Sequence, residues 1–139
     1  MNQVCTSIEQ SQKLLELGLS PNTADMYYQR FKPKSDKIEH NPKVGNPVEA
    51  LSWYNKGYTA FNNNEPLKLE EHCIPAWSLS ALMILMPTEC CLGIIGRDYF
   101  YCSHPSGYTT DDYDEPVEAA YNMIIWLIEN KCLNKEDDE

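Results

Sequence analysis

The sequence lacks an apolar run near the ~20 residues that a membrane-spanning helix needs. Its longest apolar stretches, 79–86 and 123–128, fall far short. The first residues show neither a basic segment nor an apolar core, so no secretion signal is read there. Positive charge is scarce: 11 Lys and Arg stand against 21 Asp and Glu, for a formal charge of −10. That argues against nucleic-acid binding by bulk positive charge and against a polybasic membrane anchor. Signatures of catalysis and cofactor binding are missing as well. There is no Gly-x-Ser-x-Gly elbow, no His-Glu-x-x-His, no Walker loop and no dinucleotide fingerprint. No cofactor is expected.

What is present suffices for a core. The chain has 139 residues, of which 42% are apolar or aromatic, enough for one folded domain. The expectation is a single domain over residues 1–134 with a charged, disordered tail at 135–139. The six cysteines, at 5, 73, 90, 91, 102 and 132, read as reduced thiols of a cytoplasmic protein. Free cysteine behaves as a small buried hydrophobe.

Cap and breaker residues lay out the elements. Thr6 and Glu9 fit a capping box that opens a first helix, and Gly18 stops it. Ser20-Pro21 starts a short helical turn. Residues 26–31, rich in aromatics, suit a strand. Residues 32–46 show no apolar period and read as a long loop. Asn46-Pro47 opens another helix, stopped by Gly57, and Asn62–Asn64 marks a turn. Ser78 caps a helix that ends at Pro87, with Trp77 stapled to Leu82. That helix is apolar on most sides, which predicts a buried helix. Residues 91–95 and 98–103 form a hairpin about Gly96-Arg97. A polar loop at 105–115 leads into a last helix, which Val117, Ala120, Tyr121, Ile124, Leu127 and Ile128 tie to the core. The fold class expected is α+β, three or four helices on a small antiparallel sheet.

Candidate chemistry is sparse. The metal-donor types occur as His72-Cys73, Cys90-Cys91 and Cys102-x-His104, none with the spacing of a structural zinc site. Neighbours in a strand point to opposite faces, so only Cys102 and His104 share a side. The carboxylates at 111, 112, 114 and 115 depart from a calcium loop in spacing and lack its glycine; their charge suits a helix entry. No catalytic or metal-binding residue is assigned. Nine tyrosines are the remaining handle. Tyr99 and Tyr101 share the strand face opposite Phe100 and Cys102. Tyrosine joins an apolar body to a polar tip and suits contact surfaces. Residues 30–43 carry a local charge of +3. Arg30, Lys32, Lys34, Tyr99 and Tyr101 are therefore the candidate interaction surface.

Three segments carry a resemblance: residues 9–27 with Glu16-Leu17-Gly18-Leu19-Ser20-Pro21, residues 75–82 with Pro75-Ala76-Trp77-Ser78, and residues 116–130 with Pro116-Val117-Glu118-Ala119-Ala120. In this order they resemble short uncharacterised proteins of gut Bacteroides and of their phages and mobile elements. The similarity spans the first, central and last thirds of the chain and leaves out residues 32–70 and the hairpin. It implies an intracellular accessory protein rather than a housekeeping enzyme and carries over no site residues.

Three functions follow as expectations. The first is a non-enzymatic module that binds an unidentified protein partner. The alternatives are a small enzyme with a Cys- or carboxylate-based site and an acidic nucleic-acid mimic. The charge weakens the mimic, because residues 111–139 alone hold a net −8 and residues 1–110 only −2. Neither membrane association nor direct nucleic-acid binding is expected, and the sequence leaves oligomeric state open.

Overall fold

The computed structural model describes residues 3–30, 41–53 and 73–133. Their architecture is α+β, a single domain of helices with two small antiparallel sheets. We number the helices α1 (Ile8–Glu16), α2 (helical over 47–53), α3 (Leu79–Leu85) and α4 (Pro116–Glu129). The strands are β1 (Met26–Gln29), β2 (Lys43–Val44), β3 (Cys73–Ala76), β4 (Cys91–Ile95) and β5 (Tyr99–Ser103). One sheet runs β2-β1-β3 and the other is the β4–β5 hairpin.

The first helix starts one residue later than the sequence suggests. Ser7, not Thr6, is its N-cap, and the box closes on Gln10 rather than Glu9. Thr6 is instead fully buried. Its hydroxyl accepts from the Trp77 backbone N–H at 3.0 Å and pairs with the Ser11 hydroxyl at 2.8 Å. At the other end Gly18 has φ +93°, which only glycine adopts cheaply. There Leu19 donates to the Leu14 carbonyl and Gly18 to that of Leu15, closing the helix as a Schellman motif.

Two further expectations change. The stretch 32–46 is not loop throughout, since Lys43 and Val44 pair with Tyr27 and Met26 as an edge strand. Two residues are too short to show a period. Helix α3 is not buried all round. Leu82 and Leu85 are buried, but Ile84 is 73% exposed. Strand β3 was not anticipated, because Pro75 in a four-residue run reads against a strand. The expected turn at 62–64, the stop at Gly57 and the tail lie outside the described residues.

The main core forms where α4 lies against β5 and α3. Trp77, Leu82, Leu85, Met123, Ile124 and Leu127 are buried there without appreciable exposure. Fully burying such a side chain stabilises by roughly 1.5–3 kcal/mol. The Trp77 indole N–H keeps a partner by donating to the Thr23 hydroxyl at 2.9 Å. Asp25 fixes the start of α3: it accepts from the Ser78 backbone N–H and from the Ser78 hydroxyl, which in turn caps Ala81 N–H. No helix among the described residues is long and apolar enough to cross a membrane.

Candidate interaction surface

The hairpin keeps the expected register. Gly93 faces Tyr101, Leu92 faces Cys102 and Ile94 faces Phe100. Side chains of directly opposed residues share a face. Phe100 and Cys102 point inward and are buried. Cys91, Gly93 and Ile95 lie with Tyr99 and Tyr101 on the outer face.

The polar loop at 105–115 is tied to the edge of β5 that faces away from β4. Phe100 and Tyr113 exchange both backbone hydrogen bonds, at 2.6 and 2.8 Å. Cys102 N–H donates to the Thr110 hydroxyl and Thr110 N–H to the Cys102 carbonyl, both at 2.9 Å. His104 N–H donates to the Tyr108 carbonyl. The side-chain hydroxyl of Thr110 stands in for a strand carbonyl, so the segment has no strand-like pattern in sequence.

This segment also roofs α4. The Tyr108 ring stacks on Trp126 with centroids 4.3 Å apart and planes 4° apart, and His104 lies 4.9 Å from the same indole. Burial, then the charges of Asp111 and Glu129, push the Tyr108 phenol up. The stack fixes the segment, the segment fixes β5, and β5 fixes β4.

Among the described residues the far side of the hairpin has no such cover. Ile94 is 63% exposed, Ile95 47% and Tyr99 53%. Among the described residues no strand lies against β4 on the side away from β5. The Tyr101 ring crosses Gly93 so closely that a Cβ there would stand 2.3 Å from its Cζ. Only glycine permits that approach.

The proposed surface residues divide. Tyr99 and Tyr101 share the outer hairpin face. Arg30 is half-buried and follows β1 in the other sheet. Lys32 and Lys34 lie outside the described residues. Ile94 and Ile95 were missed as surface residues. The signal for them is that 91–95 is apolar at odd and even positions alike, so a strand there has two apolar faces for one core.

The thiols are placed unequally. None of the six is in a disulfide. Cys102 is fully buried, and burial pushes its thiol up to about 12; the nucleophile in thiol chemistry is the thiolate. The neighbouring His104 uses Nδ1 for the Ser106 hydroxyl and backbone N–H, not for a thiol. Asp111, Asp112 and Asp114 are exposed. Among the described residues no three of His, Cys, Asp and Glu are grouped to hold a metal ion. No family model, curated protein or solved structure matches the chain.

Proposed function

We propose that the chain is a non-enzymatic, cytoplasmic protein-interaction module whose contact element is the β4–β5 hairpin. The observation that carries this is the exposure of Ile95 and Tyr99, directly opposed on the outer face of a backed hairpin, with Ile94 exposed on its other face. Single exposed apolar residues need no explanation, whereas contiguous ones mark contact surfaces. Backing by α4 and the 108–113 segment lowers the ordering cost of binding. An accessory role in a phage or mobile element accords with this reading.

The test places a photo-crosslinking side chain at Tyr99 and, as control, at the exposed Gln12 on α1. In native cells Tyr99 should yield one discrete protein adduct, from this chain or another, that Gln12 does not. Equal, diffuse labelling from both positions would remove the hairpin as the contact element.

A further inference from the structure

The reading of the hairpin as a contact element can be taken to a specific occupant. The backbone geometry of β4 decides which of its groups are open. In an antiparallel ladder, each residue turns its N–H and C=O together to one side, and alternate residues turn to alternate sides. On β5, Phe100 and Cys102 bond outward to Tyr113 and Thr110. Tyr99, Tyr101 and Ser103 therefore bond toward β4, to their partners Ile95, Gly93 and Cys91. That leaves Leu92 and Ile94 with backbone donors and acceptors aimed away from the hairpin.

An open edge without charge or proline is a template for another strand. Residues 91–95 carry neither. Their flanks do carry charge, and symmetrically: Glu89 stands four residues before Gly93 and Arg97 four residues after it. Both are exposed. Asp98 stands beyond Arg97, at the start of the β5 side of the turn.

We propose that β4 pairs antiparallel with β4 of a second copy of this chain about a twofold axis at Gly93. In that register Leu92 faces Ile94 of the other copy. Both present outward backbone groups, so each such pair exchanges two hydrogen bonds. Gly93 faces its own copy as a non-bonded pair, which agrees with its inward-turned groups. Glu89 and Arg97 lie in the turns just beyond the two ends of β4, so each end of the new ladder brings the Glu89 turn of one chain beside the Arg97 turn of the other. A shift by one residue would oppose outward groups to inward ones, and a shift by two would separate the charges. The two hairpins become one four-stranded sheet, with Ile95 beside Cys91 of the other copy on its outer face. Isologous contacts of this kind are the commonest way a chain associates with itself.

This inference rests on the hairpin being a contact surface, and the experiment separates the two. Sedimentation equilibrium of the full chain in reductant, from low-micromolar to near-millimolar concentration, reads the association. The wild type should approach twice the chain mass. Glu89→Arg and Arg97→Glu should each weaken association about tenfold or more, since like charges then meet at both ends. The double variant carrying both reversals should recover it. Ile94→Pro should abolish it with the thermal melt nearly unchanged, because the N–H it removes serves no bond in the hairpin. A monomer at every concentration overturns the proposal, as does a dimer indifferent to these changes. If the chain is monomeric and a Tyr99 crosslinker still captures one different protein, self-pairing is wrong and the contact element stands. If neither occurs, both are wrong.

Discussion

Either Thr6 or Ser7 could cap α1 on chemistry alone, since both carry a hydroxyl that accepts from a backbone N–H. The structure assigns the cap to Ser7 and burial to Thr6. What decides between them is distant in sequence: the Trp77 N–H needs an acceptor, and Thr6 supplies it. No local pattern shows a partner 71 residues away, so local chemistry alone favours Thr6 as the cap. The two sites differ in cost. Ser7→Ala gives up a solvent-exposed cap, about 1 kcal/mol. Thr6→Val leaves a buried N–H without its acceptor, about 2 kcal/mol. Urea denaturation should rank Thr6→Val as the more destabilising; the reverse order would return the cap to Thr6.

At the scale of elements, the parts that announce themselves locally were legible. Ser20-Pro21, Asn46-Pro47, Ser78 and the Gly18 stop all act where the sequence placed them. The hairpin and its inner pair Phe100 and Cys102 were legible for the same reason, through alternation and a glycine turn. What has no local signal draws its pairing from elsewhere. Strand β3 exists because β1 lies beside it, and the loop at 105–115, a loop as expected, is held against β5 by Thr110 and the Tyr108–Trp126 stack. On the hairpin itself, Gly93 and Tyr101 form one unit. Gly93→Ala forces the ring off the strand and should cost about 1 kcal/mol. Removing the ring first should relieve that clash, so Gly93→Ala should cost clearly less in a Tyr101→Ala background. A double-mutant cycle read by thermal melts at low protein concentration checks this. Additive losses would mean that the ring does not lie on Gly93.

At the scale of the molecule, the buried thiols tie stability to pH. Burial pushes Cys73 to about 11 and Cys102 to about 12, and raises Cys5 and Cys90 as well. The ordinary thiol value is 9.0. Below it both folded and unfolded chains hold the proton, and the stability is fully present. Above it the unfolded chain releases protons that the folded chain keeps, so stability falls as pH rises from about 9 toward 12. Melts in reductant should be level near neutrality and decline through that window. Cys73→Ala and Cys102→Ala should each flatten the decline. A melting temperature that does not fall above 9 would contradict the burial of these thiols.

The same scale holds the account's central claim, that β4 is an open edge which a second copy covers. Amide hydrogen exchange, resolved residue by residue at low and high protein concentration, tests it most directly. Gly93 and Ile95 N–H groups face β5 and should be protected at both concentrations. Leu92 and Ile94 should exchange freely in dilute solution and become protected as concentration rises. Leu92 and Ile94 amides that exchange at the same rate at both concentrations would contradict it.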